Sequence, residues 1–112
     1  MGLSNVLAWP DTTYMAKSHA NSNALREVLR VFALFGHPLR VVIFQRLATT
    51  PSTAGELARG LPISRTAIVQ HLRLLENAKL VQGSFDGRRR IYRVCLAGLV
   101  PLKSWLARYA PK

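Results

Sequence analysis

Residues 65 to 73 carry polar and small side chains at the spacing of one helix face. At about 100° of rotation per residue, Thr66, Val69, Gln70 and Arg73 fall together, with Arg65 at their edge. A guanidinium can bind guanine or a phosphate, an amide can pair with adenine, a hydroxyl can bond several bases, and an apolar side chain can contact the thymine methyl group. These residue types in this arrangement favour recognition of a nucleic-acid duplex.

The two kinds of side chain on this face predict two roles. We expect Thr66, Val69 and Gln70 to contact base edges, and Arg65 and Arg73 to bind phosphates or a guanine. The sequence does not separate the two roles of the arginines. The alternative is that this face is the solvated side of a core helix, as most polar helix faces are.

Three consecutive arginines follow this helix. Arg88, Arg89 and Arg90 come directly after Asp86-Gly87, which lies between two strand-like runs and is a strong signal for a β-hairpin. A hairpin after such a helix forms a wing, and we expect its arginines to lie where a phosphate backbone would pass. The alternative is a solvated turn.

The charge balance also indicates an anionic partner. Sixteen Lys and Arg against five Asp and Glu give a formal net charge of +11, more than solubility requires. Nucleic acid and an anionic membrane surface both fit this surplus. No apolar run approaches the roughly 20 residues that span a bilayer, and the first twenty residues lack the features of a secretory signal. We therefore expect a cytoplasmic protein without a membrane partner.

A helix-turn-helix unit must position these side chains. Residues 53–56, Thr-Ala-Gly-Glu, have the spacing of a capping box and predict a short helix over residues 54–60. Gly60-Leu61-Pro62 ends that helix, and Ser64 caps a longer one that runs to about Asn77. In this arrangement the second helix can enter the major groove of DNA.

The remaining helices are predicted from apolar residues at helical spacing. The first begins at Ala24 and ends at Gly36, the second opens at Pro38, and the last spans residues 96–110 with Pro101 near its first turn. Their apolar stripes consist of Leu25, Val28, Leu29, Phe32 and Phe35 in the first, Leu39, Val42, Ile43 and Leu47 in the second, and Leu99, Leu102, Leu106 and Tyr109, with Trp105 beside them, in the last.

The length of 112 residues predicts one core. Residues 1–22 show no lasting period and are interpreted as a flexible N-terminal arm, and residues 23–111 as one DNA-binding and dimerisation domain. The predicted fold class is mainly α with a small β-hairpin: a winged helix-turn-helix of five helices plus a wing.

Three stretches carry a family resemblance. FALFGHPLRVVIFQRLA, TAGELARGLPISRTAIVQHLRLLENAKLV and GRRRIYRV resemble the ArsR/SmtB-type winged-helix transcriptional regulators of bacteria, over about residues 24 to 110. The resemblance implies DNA contacts by the residues named above, although Val69 replaces a serine that is frequent in the family. It also implies a homodimer in the bacterial cytoplasm or nucleoid, with an interface on the first and last helices. The interface residues expected are Leu25, Leu29, Phe32, Leu99, Leu102, Trp105, Leu106 and Tyr109.

Metal sensing is common in that family, but the usual ligands are missing here. The family's helix-three site uses a cysteine pair where this chain has residues 52–56, Ser-Thr-Ala-Gly-Glu, and the last helix contains no His and no carboxylate. His37 and His71 are expected to be structural, whereas His19 could join a non-standard site across a dimer. We therefore predict no metal site and no cofactor.

Cys95 is the single cysteine, so no disulfide can form within the chain. It falls at the expected N-terminus of the last helix beside Arg93, where a thiol can have a lowered pKa and become oxidisable. The alternative is a small, partly buried filler.

The leading functional hypothesis is a homodimeric repressor that binds inverted-repeat DNA half-sites about one helical turn apart. One form of this hypothesis is an autorepressor, which acts on the promoter of its own gene. Repression rather than activation is inherited from the family, and no effector can be named. One alternative is a winged-helix module that binds a protein through Trp105 and Tyr109 and binds DNA only non-specifically. Another is a redox-responsive repressor switched by Cys95. An enzyme is disfavoured, because the carboxylates show no pairing and no phosphate-binding loop is present.

Overall fold

The computed structural model of the protein describes residues 19–110, with side chains from residue 23. The prediction of an N-terminal arm concerns residues 1–22, of which 1–18 lie outside the described residues. The elements, in chain order, are helices α1 (His19–Phe35), α2 (Pro38–Thr49), α3 (Ala54–Arg59) and α4 (Arg65–Asn77), strands β1 (Val81–Asp86) and β2 (Arg89–Val94), a 3-10 turn (Leu96–Leu99) and helix α5 (Val100–Ala107).

The first two helices meet at a capped turn. Helix α1 begins at His19, five residues before the predicted start, and ends at Phe35. His37 caps α2 because its Nδ1 accepts the N–H of Leu39 at 3.3 Å, and Pro38 occupies the first helical turn as predicted.

The predicted helix-turn-helix is present, and its caps are formed. The Glu56 N–H donates to Thr53 Oγ1 at 3.1 Å, and the Thr53 N–H donates to Glu56 Oε1 at 2.8 Å, which completes the capping box of α3. Helix α4 starts after Ser64, whose hydroxyl oxygen accepts the N–H of Ala67 at 3.1 Å. Each cap satisfies backbone donors that the first turn of a helix leaves free.

Helix α4 ends in a Schellman motif around Lys79. The Leu80 N–H donates to the Leu75 carbonyl at 2.9 Å, and the Lys79 N–H donates to the Glu76 carbonyl at 3.0 Å. Lys79 has a φ of 60°, in the left-handed region that favours glycine. The chain thereby turns sharply from α4 into the wing.

The wing is an antiparallel hairpin with Val81 opposite Val94 and Asp86 opposite Arg89. Gly87 and Arg88 form its two-residue loop, and Gly87 has a φ of 64° at the first central position, as hairpin turns require. The base of the wing is joined to the start of α3 by two backbone hydrogen bonds between Ser52 and Tyr92, of 3.0 and 2.8 Å.

One core holds the helices and the base of the wing together. Its largest fully buried side chains come from α1, α2, α4 and β1, and include Val31, Ile43, Leu72, Leu75 and Val81. Tyr92 joins it from β2. This shared core joins α4 to the base of the wing.

The C-terminal segment is less regular than predicted. A 3-10 turn covers Leu96–Leu99, and the α-helix with Pro101 in its first turn begins only at Val100 and ends at Ala107. Gly98 packs against the end of α4, and its N–H donates to the Lys79 carbonyl at 2.9 Å.

Candidate nucleic-acid interface

Helix α4 separates a buried side from a polar side as the sequence predicts. Ile68, Leu72 and Leu75 have no exposed surface, whereas Thr66 and Gln70 are exposed. Arg65 and Arg73 are exposed as well. The side of α4 that faces away from the core therefore presents guanidinium, hydroxyl and amide groups.

Val69 lies between these two sides. It is half-buried, packs against the core and lines a groove beside the wing. Its methyl groups are therefore less accessible than the side chains of Thr66 and Gln70. Among the residues expected at base edges, Val69 is the one that the fold partly withdraws from the surface.

A groove of about 380 Å³ runs between the start of α3, the first half of α4 and the wing. Four arginines line it, and they come from two consecutive elements, α4 and the wing. Arg65 is contributed by α4, and Arg88, Arg89 and Arg90 by the wing. The fold thus collects positive charge from α4 and the wing around one concave surface, which a polyanion could enter.

The three wing arginines have different surroundings. Arg88 lies in the turn and is exposed, and it has no carboxylate within 4 Å among the described residues. Arg89 Nη2 lies 3.3 Å from Glu56 Oε2, and the two side chains are 59% and 39% exposed. Arg90 Nη2 donates to Glu76 Oε2 at 2.9 Å, and these side chains are 40% and 32% exposed. Three neighbours that look equivalent in sequence therefore differ in their freedom to bind an outside anion.

Glu56 lies beside this groove, because it pairs with Arg89, one of the lining residues. The Thr53 N–H lowers its pKa most, and the Thr53 hydroxyl, Arg89 and Arg59 add to this, while partial desolvation acts in the opposite direction. The side chain is therefore ionised at neutral pH and is available both as a helix cap and as the partner of Arg89.

Comparison with known proteins decides the family. A family model described as a helix-turn-helix domain matches residues 35–83. The HTH-type transcriptional regulator Rv2034 of Mycobacterium tuberculosis is 46% identical over 70 residues, which are 62% of this chain and 65% of that protein. The structure of an ArsR-like transcriptional regulator from Rhodococcus sp. RHA1 is 33% identical, covering 78% of this chain and 82% of that one, with a TM-score of 0.70. The chain belongs to the ArsR-like winged-helix transcriptional regulators.

A third comparison supports the fold alone. A homodimeric winged helix-turn-helix DNA-binding domain from Mycobacterium bovis is 23% identical, covers 81% of this chain and 87% of that one, and has a TM-score of 0.64. The predicted family and the predicted fold class are thus both confirmed. No helix within residues 19–110 of this ArsR-like regulator is long and apolar enough to cross a membrane.

Two histidines link α4 to the start of α2 in this ArsR-like regulator. The rings of His37 and His71 meet edge to face at a centroid distance of 4.8 Å, and Arg40 Nε donates to His71 Nδ1 at 3.1 Å. Desolvation lowers the pKa of His71, and the nearby charges of His37 and Arg40 lower it further. His71 is therefore neutral at pH 7 and accepts a hydrogen bond.

The residues expected at the dimer interface differ in their exposure. Leu29, Phe32, Leu106 and Tyr109 are 46 to 69% exposed. Trp105 is half-buried, and its ring centroid lies 5.6 Å from that of Phe32, edge to face, and 5.1 Å from that of Tyr109; Leu25 is also half-buried.

Leu99 and Leu102 differ from the rest of that set, because they pack against the chain's own core. Packing within the subunit accounts for their place in the apolar stripe, and their part in a dimer interface stays a prediction. The helical spacing used for the prediction cannot separate the side of α5 that faces the core from the side that faces outward.

Cys95 is half-buried and makes no side-chain cap at the 3-10 turn, while its N–H donates to the Leu80 carbonyl at 2.9 Å. A redox role for this thiol stays a prediction. Across the described part of the chain, no cluster of three or more His, Cys, Asp or Glu side chains could hold a metal ion; the predicted absence of a metal site is not tested by this. His19 lies in α1, and its side chain is outside the described set.

Glu56 and Glu76 were not predicted to belong to the interface. Each holds one wing arginine against a helix, Glu56 from α3 and Glu76 from α4. A signal was available, because Glu76 is the sole carboxylate of α4. It precedes an arginine-rich hairpin, and an acidic residue in such a basic region is expected to find a partner.

Proposed function

We propose that this chain is a homodimeric repressor that binds a DNA operator made of inverted-repeat half-sites about one helical turn apart. The observation that carries the proposal is the exposed polar side of α4 beside a wing that supplies further arginines to the same groove. Helix α4 would lie in the major groove, and the wing would follow the adjacent phosphate backbone. Repression would result from blocking access of RNA polymerase to the promoter.

Within this proposal the side chains divide into two roles. Thr66 and Gln70 read base edges, because they are exposed on the outer side of α4 and have donor and acceptor groups. Arg65, Arg73 and Arg88 bind phosphates or a guanine. Val69 adds an apolar contact from the margin of the groove.

The apolar patch on α1 and α5 supports the dimer. Leu29, Phe32, Trp105, Leu106 and Tyr109 form a surface rich in aromatic residues, and exposed apolar surface of this kind marks interaction sites. The similar domain from Mycobacterium bovis is homodimeric. A two-fold dimer would present two copies of α4, which matches an inverted repeat.

Sensing in this proposal does not use the metal sites common in the family. Residues 52–56 lack the cysteine thiolates that one of these sites needs, and the last helix lacks the His and carboxylate ligands of the other. We expect the affinity for operator DNA to be the same in the presence of zinc and of a chelator. The natural first target is the promoter next to the chain's own gene.

The test is quantitative binding to the DNA upstream of that gene and to a random duplex of equal length, at two salt concentrations. We expect a preference of a few hundredfold, and a fall in affinity of about 10³-fold or more between 50 and 200 mM salt. Thr66→Ala combined with Gln70→Ala should reduce the preference, whereas Arg88→Ala should weaken binding to both duplexes alike. Binding without preference, unaltered by the Thr66 and Gln70 changes, would instead favour a protein-interaction module.

A further inference from the structure

Strand alternation sends neighbouring wing arginines to opposite faces of the hairpin. The register places Arg90 opposite Phe85 and Tyr92 opposite Gly83, so these four residues share one face. Tyr92 is only 7% exposed and belongs to the core. Arg90 therefore lies on the face of the wing that continues outward from the core, and Arg89 lies on the other face.

The guanidinium of Arg90 is held on three sides. Its Nη2 donates to Glu76 Oε2 at 2.9 Å, and its Cζ lies 5.5 Å from the ring centroid of Phe85 and 5.4 Å from that of Tyr92. Its Nε is buried and has no hydrogen-bond partner among the described residues. Movement toward an outside phosphate would break these contacts together.

The same carboxylate oxygen also holds the backbone of the wing. Glu76 Oε2 accepts the N–H of Gly83 at 3.2 Å, so one residue of α4 binds both strands of the hairpin. A Cβ on residue 83 would lie 2.5 Å from Arg90 Nε and 2.9 Å from Tyr92 Cε1. Glycine at this position therefore leaves the space in which the guanidinium lies flat across the strand.

We propose that Arg90 is a positioning residue that sets the angle of the wing relative to α4 through Glu76, rather than a phosphate contact. The inference rests on the proposed function, in which both surfaces bind the same duplex. Base contacts by α4 and backbone contacts by Arg88 can form together only if the wing keeps one orientation. A loosened wing would have to be ordered on binding, and operator binding would suffer more than non-specific binding.

A positioning role and a phosphate-binding role for Arg90 predict opposite effects on DNA binding when its partner Glu76 is replaced. The experiment measures affinity for the upstream DNA and for a random duplex over a salt series, using Arg90→Met, Glu76→Gln, their double variant and the matched control Arg88→Met. For a positioning role we expect both single variants to reduce the preference for the upstream DNA by about three- to tenfold, the range of one charge-assisted hydrogen bond. The double variant should lose no more preference for the upstream DNA than either single variant, because both changes break the same Arg90–Glu76 pair.

For a phosphate-binding role, Glu76→Gln would instead release Arg90 and strengthen binding. Arg90→Met would then resemble Arg88→Met, with a salt slope shallower by about one. That pattern would overturn the inference.

Amide hydrogen exchange provides a readout that does not depend on DNA. Faster exchange of the Gly83 N–H in Arg90→Met, with unchanged exchange at the buried core residue Leu72, is expected from a wing released from α4. Unchanged exchange at Gly83 in Arg90→Met and in Glu76→Gln would also overturn the inference. The wild-type chain could show no preference for the upstream DNA while the Gly83 N–H still exchanges faster in Arg90→Met than in the wild type. In that case the proposed function fails and the positioning role stands.

Discussion

The carboxylate of Glu56 joins helix α3 to Arg89 of the wing, because its two oxygens have different partners. Oε1 accepts the Thr53 N–H at 2.8 Å and caps α3, while Oε2 lies 3.3 Å from Arg89 Nη2 on the wing. The Arg89 side chain is 59% and that of Glu56 39% exposed, so solvent screens the pair, which is weak and can exchange partners. We expect an incoming phosphate to compete with Glu56 for Arg89, so that this charge pair reduces the attraction of the wing for DNA.

Replacing Glu56 with glutamine should strengthen DNA binding. Glutamine also fits the N3 position of a capping box, so α3 should keep its cap while Arg89 loses its charged partner. We expect affinity for any duplex to rise about two- to fivefold, the equivalent of releasing a surface ion pair, with a salt slope steeper by up to about one. Fluorescence anisotropy over a salt series measures both quantities.

Glu27→Gln is the matched control, because it removes the same charge from an exposed position on α1 outside the groove. An equal rise in affinity for Glu27→Gln would indicate a general effect of net charge. No rise for Glu56→Gln would mean that the pair with Arg89 does not restrain the wing.

Removing the exposed apolar side chains of α1 and α5 should produce monomers. Phe32 is 46% and Leu106 48% exposed, and Phe32 also supports Trp105. We expect Phe32→Ala combined with Leu106→Ala to raise the dimer dissociation constant by at least about tenfold, since each truncation removes apolar interface area. Analytical ultracentrifugation gives the dissociation constant. Leu74→Ala, a truncation of an exposed leucine on α4, should leave it unchanged; equal weakening by Leu74→Ala would place the interface elsewhere.

Local signals in the sequence predicted much of the fold and part of the interface. The capping box of Thr53 and Glu56, the cap at Ser64 and the turn at Gly87 depend on residues a few positions apart, and the structure contains all three. The buried side of α4 followed from periodicity alone. These features need no knowledge of how distant segments pack.

Other features depend on packing between distant segments. The separate surroundings of Arg88, Arg89 and Arg90 follow from the hairpin register and from the side on which α3 and α4 flank the wing. The start of α1 was placed too late because residues 19–23 lack an apolar period. Leu99 and Leu102 pack against the subunit's own core, and spacing alone does not show whether an apolar stripe faces that core or a second subunit.

Lowering the pH should destabilise the fold through His71. Its folded-state pKa lies below the ordinary 6.5, because desolvation, His37 and Arg40 all disfavour its protonated form. As the pH falls below about 6.5, the unfolded chain takes up a proton that the folded chain resists, so the free energy of unfolding declines until the lowered pKa is passed. Thermal unfolding at pH 7.5 and 5.5 measures the decline.

His71→Asn is the informative variant, since its side-chain oxygen can still accept from Arg40 but cannot be protonated. We expect a smaller loss of thermal stability between pH 7.5 and 5.5 for His71→Asn than for the wild type. Equal losses in the two proteins would assign the pH dependence to other groups.

Gly98 should not tolerate a side chain. A Cβ there would overlap the Ala78 carbonyl oxygen and lie 2.7 Å from that of Lys79, and both are backbone atoms that cannot swing away. We expect Gly98→Ala to lower the free energy of unfolding by about 1–3 kcal/mol, the range of overpacked sites. A Cβ at Gly55 would meet only Thr53 Oγ1, at an ordinary contact distance of 3.9 Å, so Gly55→Ala should raise that free energy by about 0.5 kcal/mol. Urea denaturation of both variants provides the comparison, and similar effects of the two would contradict the packing argument.

The positive φ of Lys79 predicts a stabilising substitution at the junction between α4 and the wing. A lysine in the left-handed region at the end of a helix is strained by its Cβ, whereas glycine is the residue that the Schellman motif favours. Lys79→Gly should therefore raise the free energy of unfolding by about 0.5–1 kcal/mol after the greater chain entropy of unfolded glycine is subtracted. Lys79→Ala removes the same charge but keeps the Cβ, so it should give no such gain. Urea denaturation distinguishes the two variants: equal stabilisation by both would mean that relief of charge repulsion, rather than of backbone strain, is responsible.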